Sequence, residues 1–253
     1  MSTIKKISEI EIIKEAADIL SQMFGFISYY IKPGIKSIEI DDLAEKFLLK
    51  KNAKPAFKGY NGYPATLCIS PNEKVVHGIP DDYTFKEGDL ISIDGGIFYK
   101  GYYADMAYTF AIGKVEYIKQ KLRSVAYKAL FSGIIKIKPE IRTGDIGHAI
   151  QKHVESNGFS VVRCLTGHGI GKYLHENPMI PNYGEPNTGD IINKNMILAI
   201  EPMVNAGTHK VKLLNDNWTF VTEDLMPSAH FEHTVLVSET GYKILTSYKY
   251  IKN

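Results

Sequence analysis

A ten-residue stretch that recurs 106 positions later constrains this chain more than any other feature. Ile31-Lys32-Pro33-Gly34-Ile35-Lys36-Ser37-Ile38-Glu39-Ile40 lies over Ile137-Lys138-Pro139-Glu140-Ile141-Arg142-Thr143-Gly144-Asp145-Ile146, with five identities and three conservative replacements. At an offset of 107, Leu90-Ile91-Ser92-Ile93-Asp94 falls on Ile197-Leu198-Ala199-Ile200-Glu201, two apolar runs each closed by a carboxylate. Two repeats of this length point away from a long solenoid. They imply one α+β domain over residues 1–253, built from related halves of about 1–112 and 113–253. Helices would cover one face of antiparallel strands, and the junction of the halves would form a cleft.

Local patterns agree with that plan. A helix is predicted from Ser8, opened by a capping box in Ser8-Glu9-Ile10-Glu11 and ended at Pro33-Gly34. Further helices are expected over 40–51, 115–137 and 145–156, and strands over 65–69, 90–98 and 103–112. With 30 Lys+Arg against 28 Asp+Glu and 44% hydrophobic residues, the chain reads as globular, with no charge excess calling for a specific nucleic acid. Cys68 and Cys164 cannot build a disulfide framework or a zinc finger, which fits a reducing, cytoplasmic setting. Lys5, Lys6, Glu9 and Glu11 interrupt the N-terminal stretch, and no run approaches the roughly 20 apolar residues of a membrane span.

The carboxylates carry the chemistry. The midpoint between Asp94 and Asp105 falls at Tyr99-Lys100, so a hairpin turning there would pair them directly. Paired strand residues have Cβ atoms about 4.5–5.5 Å apart, where two anions repel unless a cation lies between them. Two divalent ions would fit. Exposed aspartates are the simpler reading, but Ile91, Ile93, Met106 and Phe110 flank them and argue for buried strands. Glu201 ends another apolar run, and Glu232 lies in a period-two strand over 230–237. Burying four unpaired anions would cost several kcal/mol each, roughly, and metal binding removes that cost. His168 sits between two glycines, His175 follows seven residues on, and His77 precedes Gly78. His148, His153 and His209 read as ordinary histidines, while His230 and His233 lie near the site without a role.

Across nearly its whole length the chain resembles the type I methionine aminopeptidases, which have the pita-bread fold. The resemblance rests on Ile-Asp94-Gly-Gly, Ala-Asp105-Met-Ala, Gly-His168-Gly-Ile-Gly, Ile-Glu201-Pro-Met and Phe-Glu232-His-Thr, the five metal-ligand positions of that family. His77 in His-Gly-Ile-Pro and His175 in Leu-His-Glu-Asn-Pro match two further active-site histidines. It implies two divalent ions, with Asp94 on one, His168 and Glu201 on the other, and Asp105 and Glu232 bridging. One imidazole and four carboxylates favour Mn, Fe or Co, with Zn or Ni as further candidates. A metal-acidified water would attack the scissile carbonyl while Glu201 shuttles its proton. His175 would hydrogen-bond the scissile amide and His77 would stabilise the tetrahedral intermediate or leaving amine.

The family's methionine pocket maps onto Tyr60, Tyr63, Cys68 and Trp218, polarizable and aromatic surface suited to a thioether. Leu174, Asn61 and Tyr103 depart from residues common in the family and bear on substrate preference and turnover. The implied activity removes the initiator methionine from nascent polypeptides whose second residue is small. The implied protein is a monomer that needs no membrane and can contact the ribosome. Two alternatives share the scaffold: an Xaa-Pro aminopeptidase or prolidase, which usually carries an additional N-terminal domain, and a peptide-binding module without catalysis.

Overall fold

The structure is a computed structural model that describes residues 4–252. Its four α-helices are α1 (Ile7–Ser28), α2 (Ser37–Lys50), α3 (Tyr117–Ile134) and α4 (Thr143–Ser156). An offset of 106 carries both ends of α2 onto the ends of α4, and the last residue of α1 onto the last residue of α3. The first turns of α2 and α4 close alike: Lys36 N–H donates to Glu39 at 2.8 Å and Arg142 N–H to Asp145 at 3.1 Å. Each satisfies a donor next to the helix start and sets a negative charge at the positive end of the helix dipole. In α1, Lys6 N–H donates to Glu9 at 2.6 Å. The box expected at Ser8 and Glu11 therefore does not form, because the N-cap is Lys6, two residues earlier, and Ser8 already lies inside the first turn.

All strand pairs are antiparallel. Leu90–Tyr99 is the spine of a four-stranded sheet, with Lys54–Pro55 and Leu67–Pro71 along one edge and Tyr102–Ala111 along the other. A five-stranded sheet runs in the order Tyr242–Ile244, His233–Val237, Ile197–Ile200, Thr166–Gly169, Glu176–Pro181. Period-two alternation gives the spine two different faces. Ile91, Ile93 and Ile97 are fully buried in the helix-packed core beside Phe24, Ile27, Leu48 and Leu130, each such side chain contributing about 1.5–3 kcal/mol. Asp94 and Gly96 face the other way, and a Cβ on Gly96 would lie 2.8 Å from the Phe57 ring.

Two details differ from the expected strands, and both shape the site. The hairpin turns at Lys100-Gly101, both with positive φ (49° and 90°), so Asp94 pairs with Ala107 and Asp105 with Gly96. Asp94 and Asp105 are diagonal neighbours on one face, not a direct pair, which widens the gap available to a cation. The strand expected over 230–237 breaks at Phe231-Glu232: Ser228–His230 pairs with Met203–Asn205, while His233–Val237 pairs with Ile197–Ile200. The partner run breaks at Glu201-Pro202, where proline has no N–H for a ladder. Both glutamates therefore sit at corners where the chain changes sheets, freed from strand pairing. Among the described residues, no helix is long and apolar enough to cross a membrane.

Candidate metal centre

The two halves meet at Asp105. Thr234 Oγ1 accepts from the Asp105 N–H at 3.0 Å and donates to the Asp105 carbonyl at 2.7 Å. Thr109 makes the mirrored clamp, accepting from His230 N–H at 2.9 Å and donating to the His230 carbonyl at 2.7 Å. Tyr248 Oη bonds Ala107 O at 2.7 Å and Glu232 O at 2.8 Å, and accepts from Glu232 N–H at 3.1 Å. These bonds lock the strand carrying Asp105 against the corner carrying Glu232.

The result is a cluster in which Asp105, His168 and Glu232 each offer a ligand atom, all within 4.8 Å of one another. Asp105, His168 and Glu232 are buried, while Asp94 and Glu201 keep an edge on the cleft. His168 Nδ1 lies 2.9 Å from Gly169 O, so its proton points at the carbonyl and Nε2 faces Glu201 Oε1 at 3.4 Å as a lone pair. Burial, then the neighbouring His175, hold the His168 ring down at about 3, neutral at physiological pH. Burial moves the acids the other way. Asp105 is pushed up to about 7, and Asp94, Glu201 and Glu232 are raised well above the usual carboxylate range, by burial first and then by the charges of their carboxylate neighbours. Asp94 Oδ1 and Glu232 Oε1 are buried with no hydrogen-bond partner. Buried oxygens left without donors in an acidic cluster suit a hard cation, so this donor set fits divalent metal.

A cleft of about 260 Å³ opens onto these five residues and is lined also by His77, His175, Tyr60, Tyr63, Cys68 and Trp218. Every residue assigned from the sequence to catalysis, metal or substrate binding thus borders one space, whereas Tyr103 does not line it and packs on the Phe98 ring at 4.8 Å. Cys68 reaches it because Leu67–Pro71 pairs with the spine and sets Cys68 beside Asp94. Tyr63 packs edge-on to Trp218 at 5.0 Å and donates to Leu67 O at 2.9 Å, fixing the apolar wall. Tyr60 lines the same wall, and its Oη is 2.8 Å from His175 Nδ1. His77 has φ 57°, a strained backbone, and the next residue, Gly78, lies so close to Leu67–Pro71 that a Cβ on it would be 2.2 Å from Ile69 O. Burial, then His175, lower the His77 ring to about 4. Leu174 and Asn61 also border the cleft.

Other participants went unread in the sequence. Phe57 lines the cleft from a Pro- and Gly-rich segment with no periodicity to signal it. Thr234, two residues beyond Glu232, could have been found from period-two alternation. His230 proves close: both ring nitrogens are buried without a partner, and Nε2 is 3.7 Å from Glu201 Oε2. His233 is structural, bonded to Thr246 Oγ1 at 2.8 Å and stacked on Tyr248 at 4.0 Å. A buried ion pair joins Lys5 to Glu176, the residue after His175, and Glu176 also accepts from the N–H groups of Lys172 and Tyr173 in the loop before it.

Comparison with known proteins places this geometry. Residues 11–239 match metallopeptidase family M24. Methionine aminopeptidase 1 of Bacillus subtilis is 48% identical over 238 residues, covering 94% of this chain and 96% of that protein. The crystal structure of a methionine aminopeptidase from Thermotoga maritima superposes with a TM-score of 0.96 at 46% identity, covering 98% of this chain and 100% of that one. A prolidase from Pyrococcus horikoshii shares the fold at a TM-score of 0.79 and 23% identity, but this chain spans only 64% of it. With a family match over most of its length and relatives of similar size, the chain belongs to metallopeptidase family M24 and, within it, to the pita-bread methionine aminopeptidases.

Proposed function

We propose that this cleft removes the N-terminal methionine from new polypeptides whose second residue is small, with two divalent ions held by Asp94, Asp105, His168, Glu201 and Glu232. The observation that carries the reading is the cluster of raised carboxyls around one neutral imidazole, with buried oxygens that have no donors. When bound, divalent metal supplies Lewis acidity and a water acidified enough to act near neutral pH. Mn, Fe and Co match the oxygen-rich donor set best.

The chain's own groups account for the rest. Glu201 takes a proton from the attacking water and passes it to the leaving amine, a role suited to a carboxyl whose burial raises its proton affinity. His175 and His77 are both held neutral by burial, so each keeps one N–H to donate. With Tyr60 Oη donating to Nδ1, the His175 proton sits on Nε2, free for the scissile amide. His77 donates to the charge developing on the tetrahedral centre. Tyr60, Tyr63, Cys68 and Trp218 form the wall for the methionine side chain. At about 260 Å³ the space lies below the usual 300–1,000 Å³ of ligand pockets, a size for one terminal residue.

The test is mass-spectrometric cleavage of Met-Ala-Ser and of an Xaa-Pro peptide by metal-stripped protein, with and without Mn(II) or Co(II). Loss of a single methionine only with metal is expected. Preferential Xaa-Pro cleavage would reassign the substrate, and binding without cleavage under every metal would leave a peptide-binding module.

A further inference from the structure

A second cleft, sharing no lining residue with the metal centre, runs between α3 and the C-terminal segment and has a volume of about 1050 Å³. Its cations are Lys121, Arg123, Lys128, Lys249 and Lys252, and among the described residues no carboxylate lines it. Since the whole chain carries a formal charge of only +2, the remainder of the molecule is net acidic. Lys121, Arg123 and Lys128 lie on α3, and the C-terminal segment brings Lys249 and Lys252 beside them. Tyr117, Gln120, Lys121, Ser124 and Lys128 recur at helical spacing on the outer stripe of α3, opposite the buried Leu122, Val125, Ala126, Ala129 and Leu130.

Some lysines elsewhere on the surface are neutralised. Lys14, Lys36 and Lys194 are each paired with a carboxylate within 2.8 Å. Among the described residues, none of the five in the cleft has a carboxylate partner. Arg123 is instead held by neutral oxygens, Thr109 O and Tyr108 Oη, both at 2.7 Å, and Lys121 by Asn157 O at 3.0 Å. Arg123 and Lys121 are therefore held in place by neutral oxygens, and among the described residues no carboxylate compensates any of the five. Aromatic surface is interleaved with it: Tyr117 is 78% exposed and Tyr127 40%, and the Lys252 ammonium lies 5.2 Å from the Tyr29 ring. Phe231 lines this cleft, whereas the next residue, Glu232, lines the metal site, so an occupant here leaves the peptide cleft open.

We propose that this face docks single-stranded nucleic acid without sequence preference, through its phosphates on the five cations and its bases on the exposed tyrosines. Uncompensated cations along a groove together with open aromatic rings are the combination that binds single strands. An acidic protein would use the charges but not the rings.

The test uses the full-length, metal-loaded protein and a fluorescein-labelled 15-nucleotide oligouridine, read by anisotropy across a potassium chloride series. Saturable binding is expected, with log Kd rising against log salt at a slope of about 3.5, or roughly 0.7 per neutralised phosphate. Replacing Lys121→Gln, Lys128→Gln and Lys249→Gln together should weaken binding at least tenfold and lower the slope by about 2. Tyr117→Ala, at an exposed ring, should weaken it about fivefold or more without touching the charge. The charge-matched set Lys14→Gln, Lys36→Gln and Lys194→Gln should change neither, and unchanged Met-Ala-Ser cleavage in every variant verifies the fold. Absence of binding at low salt, an equal loss in the charge-matched set, or binding to phosphatidylglycerol vesicles in place of the oligonucleotide would each overturn the proposal.

Discussion

Glu201 shows how a single side chain can be costly to the fold and necessary to the chemistry. Its charge is among the causes that push Asp94 and Glu232 up, so in metal-free protein it is a repulsive neighbour in a buried site. Glu201→Gln removes that repulsion and keeps the shape. Metal-free protein carrying it should melt at or above the wild-type temperature, while metal-loaded turnover falls by about 10²–10⁴, the range for loss of a general acid–base group. A destabilised metal-free variant, or one with wild-type turnover, would remove Glu201 from this role. Tyr60 makes a finer point, because it lines the methionine wall and also bonds His175. Tyr60→Phe keeps the ring and loses one hydrogen bond, worth about 0.5–1.5 kcal/mol. Steady-state kinetics should therefore show kcat lowered about 3- to 10-fold at nearly constant KM. A raised KM with unchanged kcat would leave Tyr60 as wall alone.

Between elements, Asp41 of α2 joins a helix to the strand that carries Cys68. Its carboxylate accepts from Leu67 N–H at 2.7 Å and Thr66 N–H at 3.4 Å, yet burial outweighs these bonds and raises it from 3.8 to about 6. A folded value above the unfolded one means that the native state binds more protons between the two. This contribution is full below about pH 3.8 and lost as pH rises through about 6. The shift corresponds to about 2–3 kcal/mol. Asp41→Asn keeps an acceptor for Leu67 without the charge, so its stability relative to wild type should climb by about that amount from pH 4 to 7.5 in urea unfolding. A difference flat in pH would mean that Asp41 stays charged at no cost. The same scale explains what the sequence revealed. The helices were legible because the 106-residue offset and apolar spacing are local, and the motifs around Asp94, His168 and Glu201 brought every metal candidate into view. The hairpin register was not, because moving the turn from Tyr99-Lys100 to Lys100-Gly101 shifts every pairing by two residues. Nor were the clamps, since Thr234, Thr109 and Tyr248 bond residues 129, 121 and 141 positions away. Nothing local encodes such contacts.

At the scale of the whole molecule, the fold is a frame that holds like charges together, and a cation is what makes that frame stable at neutral pH. Without metal, Asp105 and its neighbours keep protons in the folded state that the unfolded chain releases near pH 4. Their contribution is full below that value, and the Asp105 share is lost as pH rises through about 7. The buried histidines have the opposite sign. His77, lowered to about 4, and His233, lowered to about 3, contribute fully above pH 6.5 and lose that contribution as pH falls toward those values. Metal-free protein should thus be most stable in mildly acid solution, with melting temperature falling on both sides. Metal replaces the carboxyl protons, so its binding releases them and tightens as pH rises. At a free Mn(II) concentration 100 times its Kd the native state gains about 2.7 kcal/mol. For a chain of this size that is roughly 5–10 °C in melting temperature. Scanning calorimetry of chelator-treated and Mn(II)-loaded protein from pH 5.5 to 8 should show this gain growing with pH at fixed metal. A gain of constant size would mean that the carboxylates are already ionised before metal arrives, and that the folded frame, not the cation, holds their charge.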